Sequence, residues 1–351
     1  MTIYYPLLKK GNSEVKALEE VWKHSSPKNL VPIIESQRKN NPSKWEKDFN
    51  TLGKYMKSRF GDHIFAYQFS TTFADIDPDV TKNWQGKNSE NIVEFMHTKL
   101  AEHHNNFFPC ISFDEKDWII DTLSKYDHTQ IIIRIEPYKF DSGIDQFMFQ
   151  GILEKFEKIF PHSELIFLLD FYNKIIDLTR INKLVDFLTQ NNKQVVFGAT
   201  SCPMNSDDVS YSSFSVAAIR NDFSTFLTLK KSYPNLNFSD YTVRLKPEPT
   251  TEEKREINMN NTYLKIFYTT EKDYMIGKSG LLKKQKSDAE HISINDICNM
   301  IVDSEHFKGK DFSYGDLKIF ECANNNFEIN DHQVPIRLGI NHHIHTILNQ
   351  L

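Results

Sequence analysis

Short, unbroken apolar runs that alternate with segments of helical period constrain this chain most. Gln130–Glu136 and Glu164–Asp170 are the clearest pair. In each, the apolar residues are continuous rather than alternating, as in strands buried on both faces. The segment between them has helical spacing, so together they read as one β-helix-β unit.

The unit recurs along the chain. Strand candidates are Ile3–Leu8, Leu30–Glu35, Ile64–Phe69, Phe108–Phe113, Ile131–Glu136, Leu165–Asp170, Gln194–Ala199 and a weaker run at Phe238–Val243. Between them lie helical patterns: Val15, Leu18, Val21 and Trp22 in Ser13–Lys23; Trp45, Phe49, Leu52, Tyr55 and Met56 after Pro42; and Ile92 to Leu100. Trp118 to Leu123, Ile144–Phe160, Ile175–Leu188 and Val216–Lys231 continue the series. Eight such units within residues 1–245 match the size of a (β/α)8 TIM-like barrel. A doubly wound open sheet is the competing architecture.

The character changes after Arg244. Residues 246–256 are polar, charged and punctuated by proline, as in a linker. Tyr263–Tyr268 and Tyr274–Ile276 read as a hairpin, followed by helical segments at Ile294–Val302, Phe312–Cys322 and Ile336–Leu351. Residues 246–351 are therefore expected to form an α+β extension packed on the barrel.

Composition narrows the function classes. A net charge of −5 disfavours a nucleic-acid backbone as partner. No apolar run has membrane-spanning length, and the N-terminus has no signal-peptide pattern. Cys110, Cys202, Cys298 and Cys322 are widely spaced and lack zinc-site spacing, so free buried thiols in a reducing cytoplasm are expected. P-loop, dinucleotide-binding and serine-hydrolase signatures are absent.

Barrel enzymes place their chemistry at the carboxyl ends of strands. Here those ends carry Lys9, Lys10, Glu35, Gln68, Asp114, Arg134, Glu136, Asp170 and Asp240. Glu35, Glu136 and Asp170 are candidate acid/base or metal-ligating groups, with Lys9 and Arg134 as anion holders. The alternative is that these charges mark the edge of the core. Arg134 stands out because it lies inside an apolar run, and a buried guanidinium needs an anionic partner. Glu35, Glu136 and Asp170 are the candidates for that partner. In the extension, Asn341, His342 and His343 form a histidine-dense stretch that lacks further ligands at metal spacing.

With these stretches identified, the chain resembles the Beta protein family of phages, phage satellites and bacterial genomes. The resemblance is carried by Tyr5–Lys9 with Gly11, Ala17 and Leu18; by Val31–Glu35; and by Phe238 to Tyr241, with Asp240. It continues at Tyr268, Thr269 and Gly277, then Phe312–Asp316 and Gly339–Ile344. The stretch around Arg220 and Asp222 is similar to a family helix that carries Arg and Glu before Trp, with Phe223 where the tryptophan stands. The resemblance implies a barrel protein with a role in phage–host conflict. It also nominates Asp240, Asp316, Asn341, His342 and His343 as binding residues, with Asp240, Asp316 and the Asn341-His342 pair meeting at one place.

Two functions follow as expectations. One is a cytoplasmic, barrel-based recognition protein of a phage defence or immunity system, with a partner protein, phage product or small phosphorylated ligand. The other is a metal-assisted phosphodiesterase or hydrolase at the barrel mouth. Neither assigns a cofactor.

Overall fold

A computed structural model describes residues 1–73, 76–104, 106–174, 177–245 and 262–351. Its strands are β1 (Leu7–Lys9), β2 (Ile33–Glu35), β3 (Phe65–Gln68), β4 (Phe107–Ser112), β5 (Gln130–Ile135) and β6 (Glu164–Asp170). β7 (Gln194–Gly198), β8 (Ser213–Ile219), β9 (Asn237–Ser239), β10 (Lys265–Thr269) and β11 (Asp273–Lys278) follow. The chain divides into two compact units. One is Met1–Lys10, Asn29–Ala199 and Thr225–Asp240; the other is Gly11–Lys28, Thr200–Ser224 and Tyr241–Leu351.

The first unit is a parallel (β/α)8 barrel. Its strands pair in the order β1-β2-β3-β4-β5-β6-β7-β9. Tyr4 completes the ring, bridging in parallel to Leu30 on one side and to Phe238 on the other. Tyr5 N donates to Phe238 O at 2.8 Å and Leu7 N to Asp240 O at 2.7 Å, so the first and last strands share a ladder. The expected continuous apolar runs are sealed: Ile131, Ile132, Ile133 and Ile135 are fully buried, as are Ile166 to Leu169. Each contributes about 1.5–3 kcal/mol of burial free energy. Side-chain caps set several helix starts. Asn91 Oδ1 accepts from Glu94 N at 3.0 Å before the helix Ile92–Ala101. Asp177 caps Leu178–Gln190, and the expected start of that helix at Ile175 lies outside the described residues.

The second unit is α+β. Its antiparallel sheet has the order β10-β11-β8 and includes the expected hairpin, with Lys265 opposite Lys278 and Thr269 opposite Tyr274. Helices Ile294–Val302, Tyr314–Ala323 and Gln333–Gln350 accompany it. Ser293 opens the first of these with a capping box. The helix Asn12–His24 from the start of the chain packs on Gln333–Gln350.

Two differences from the sequence reading matter. Val216–Lys231 is not one helix: β8 covers Ser213–Ile219, and the helix is Asn221–Ser232. The units are also discontinuous in sequence, where the reading divided the chain once, between residues 245 and 246. The stretches Gly11–Lys28, with the helix Asn12–His24, and Thr200–Ser224, with β8, belong to the second unit although they precede residue 246. The proposed linker, residues 246–256, lies outside the described residues. No described helix is long and apolar enough to cross a membrane.

Candidate functional site

Strand register brings four strand-end side chains together in the barrel. Lys9, Glu35 and Gln68 occupy one row across β1, β2 and β3. Arg134 lies one residue before the end of β5, and Asp170 ends β6. Arg134 Nη1 donates to Glu35 Oε1 and to Gln68 Oε1, each at 3.0 Å. Its Nε and Nη2 both donate to Asp170 Oδ2, at 2.8 and 2.7 Å. All four residues are buried. The guanidinium fork thus links three strands through two carboxylates and an amide, the geometry for which arginine is suited.

Asp170 is fixed from its other oxygen, where Oδ1 accepts from Tyr172 N at 2.8 Å. Tyr172 adopts φ +52°, an uncommon conformation for a non-glycine residue, and this turns the chain back over the carboxylate. Cys110 lies within the field of Arg134, Glu35 and Asp170; burial pushes its thiol up to about 12, which keeps it protonated.

The remaining strand-end candidates are placed separately. Glu136 accepts from Tyr138 Oη at 2.7 Å and pairs with Lys139 Nζ at 2.5 Å. Burial alone would raise its carboxyl, but the charge of Arg134 and the bonds from Lys139 and Tyr138 outweigh burial and leave it lowered. Lys9 ends β1 opposite Glu35 and is half-buried. Asp240 is buried beside the ring closure, where Oδ1 accepts from Tyr4 Oη at 2.6 Å.

The second unit has its own buried polar cluster. His342 Nδ1 faces Asp316 Oδ2 at 2.8 Å, and Nε2 faces the carbonyl of Thr269 at 2.7 Å. Both ring nitrogens thus meet oxygen atoms of buried partners, so the ring is held at both edges. Asp316 also accepts from Tyr268 Oη at 2.8 Å and from Ser313 Oγ at 2.5 Å. The charge of His342 and these bonds outweigh burial, so the Asp316 carboxyl is lowered. The His342 ring stacks on Tyr268, with centroids 3.9 Å apart. His343 Nδ1 bonds Thr269 Oγ1 at 2.8 Å. Asn341 receives Gly315 N at 2.9 Å and donates to the carbonyl of Ala17 at 3.1 Å. Asp316, Asn341, His342 and His343 are fully buried. Among the described residues no three histidine, cysteine or carboxylate side chains converge in a way that would hold a metal ion.

The convergence of Ala17, Tyr268, Gly315, Asp316 and Gly339–Ile344 in the second unit accounts for part of a motif scattered over the whole sequence. A Cβ on Gly315 would lie 2.4 Å from the Leu338 carbonyl oxygen, and one on Gly339 would lie 2.8 Å from that of Phe267. Both positions need glycine for close approach. A profile of the Beta protein family matches residues 4–349. The chain belongs to the Beta protein family.

No curated protein matches this family member. Among solved structures, it is similar to a β-mannanase from Streptomyces thermolilacinus in complex with mannohexaose. The identity there is 11%, with 71% of this chain and 80% of the other covered and a TM-score of 0.43. A β-mannanase from Thermomonospora fusca is similar at 10% identity, covering 72% and 82%, with a TM-score of 0.43. A mandelate racemase/muconate lactonizing protein from Paracoccus denitrificans PD1222, complexed with magnesium, matches at 6% identity, 57% and 48% coverage, and a TM-score of 0.33. The barrel assignment rests on strand order and ring closure.

Two groups that the sequence reading left out of its site bear on it here. Gln68 supplies the neutral acceptor to Arg134; as an uncharged residue at a strand end it gives no sign of its role. Lys10, next to Lys9, lies with its ammonium 5.1 Å from the centre of the Tyr55 ring. Its signal was the paired lysines ending β1.

Proposed function

We propose that this Beta protein is a recognition component of a phage defence or immunity system, acting in the cytoplasm through its barrel mouth. Its target is a partner protein, a phage product or a small phosphorylated ligand. The family's phage setting supports the biological role. Four free, buried cysteines accord with a reducing compartment.

One observation carries recognition over chemistry. Glu35 and Asp170, which a metal-assisted phosphodiesterase would need as ligands or base, are committed to Arg134 at 2.7–3.0 Å. A buried guanidinium stripped of such partners is strongly disfavoured. The cluster therefore serves as a rigid floor for a binding surface. The buried Asp316–His342 pair is read in the same way, as a tie that holds the second unit in shape.

Phage challenge of cells carrying the protein with its genomic neighbours tests the role. Protection that disappears when this chain alone is deleted is the expected result. Unchanged plaque counts on deletion would refute it.

A further inference from the structure

Two lysines of the second unit converge on one serine. The register of β10 and β11 sets Lys265 opposite Lys278, so both side chains leave the same face of the sheet. They meet at Ser206, in the segment that leads into β8. Lys278 Nζ donates to the carbonyls of Ser206 at 2.9 Å and of Val209 at 2.8 Å. Lys265 Nζ lies 3.4 Å from Ser206 Oγ, and the same Oγ lies 3.0 Å from Tyr263 Oη. The Lys278 ammonium also sits 4.3 Å from the centre of the Tyr211 ring and 4.8 Å from that of Tyr263. All of these residues belong to the second unit.

The cluster has donors in excess and no anion. Each ammonium carries three donor hydrogens and each hydroxyl one. The acceptors they meet are the two carbonyls and the two hydroxyl oxygens themselves. Whichever of Ser206 and Tyr263 donates to the other, one hydroxyl hydrogen is left over, and the Lys265 ammonium makes a single long bond. Among the described residues no carboxylate pairs with either lysine. Asp207, whose charge acts on both, is exposed. The tyrosine faces attract a cation without neutralising it. Burial holds both ammonium groups below the ordinary lysine range. Lys278 is buried, whereas Lys265 and Tyr263 are half-buried and Tyr211 is exposed, so the cluster opens to solvent.

We infer that Lys265 and Lys278, with the hydroxyls of Ser206 and Tyr263, form a binding site for the phosphate group of a small ligand on the second unit. A phosphate dianion brings two negative charges to two ammonium groups, and its oxygens are the acceptors that the cluster lacks. Lys278, held by two carbonyls, supplies a fixed charge; Lys265 and the hydroxyls supply the reachable donors. The site belongs to the second unit and does not rest on the recognition role proposed for the barrel mouth.

The test is calorimetric titration of the full-length protein with inorganic phosphate at fixed ionic strength, beside the Lys265→Met and Tyr263→Phe variants. Saturable one-to-one binding is expected. Lys265→Met should weaken it about tenfold or more through loss of a charge-assisted contact. Tyr263→Phe, which keeps the ring and removes one donor, should weaken it about threefold. The Lys265 ammonium, followed by NMR, is expected to titrate at higher pH once phosphate is bound. No saturation in the wild type, or wild-type affinity in Lys265→Met, overturns the site. Should Lys265→Met fail to fold, unchanged affinity in Tyr263→Phe overturns it instead. Phage protection is read separately, so failure of this site leaves the recognition role standing.

Discussion

Arg134 sets the chemistry of the barrel mouth because a cation within an apolar run has few stable outcomes. It must reach anions, and it reaches two, Glu35 and Asp170, with Gln68 as a third acceptor. Arg134→Met would leave two buried carboxylates without their cation. The expected loss is about 3–5 kcal/mol of stability, read by urea unfolding; a loss below about 1 kcal/mol would contradict the network. At Gly315, alanine would drive a Cβ into the Leu338 carbonyl, 2.4 Å away. Gly315→Ala should lower stability by about 2 kcal/mol, measured in the same way. The need of Arg134 for an anion was legible in the sequence, and so were its two carboxylate partners among three candidates. The burial of Asn341, His342 and His343 was not. Residues 338–344 are buried without a break, so their helix lacks the polar face that marks burial by periodicity.

At the scale of elements, the barrel strands were legible from their apolar runs, the last of them, β9 with Asn237, Phe238 and Ser239, only as part of a weaker run. β8 was not. Val216, Ile219 and Phe223 fall at helical spacing, yet Val216 and Ile219 are the exposed residues of a strand that, among the described residues, pairs only with β11. An edge strand with exposed apolar residues and a following helix imitates one longer helix. Another element-level device links the helix Ile92–Ala101 to the entry of β5. His97 stacks on Tyr126, centroids 3.6 Å apart, and its Nε2 lies 3.2 Å from that of His128. An Nε2–Nε2 contact requires one ring to donate and the other to accept. Burial, with the charge of His128, lowers His97 to about 3; burial lowers His128 to about 4. Folded values below the unfolded value mean that the unfolded chain takes up protons first. The stability these rings contribute is present above about 6.5 and is lost as pH falls towards their folded values. Between pH 7 and 5 each should cost on the order of 1–2 kcal/mol. Urea midpoints at the two pH values check this, and His97→Phe should remove its share of the difference; an unchanged difference would contradict the pair.

For the whole molecule, two discontinuous units explain why family-specific residues lie at both ends of the chain. Ala17 and Asn341 are distant in sequence and bonded in one core, an arrangement no local pattern reveals. The barrel contributes a buried ion network that commits Glu35 and Asp170 to Arg134. The central claim is that the mouth carboxylates are structural. Glu35→Gln tests it most directly, because the amide oxygen still accepts from Arg134 while a carboxylate base or metal ligand is lost. The measurement is phage protection by the variant with its genomic neighbours, at protein abundance matched to the wild type. Protection equal to the wild type is the predicted result. Loss of protection at matched abundance would contradict the claim and make the Glu35 carboxylate a functional group.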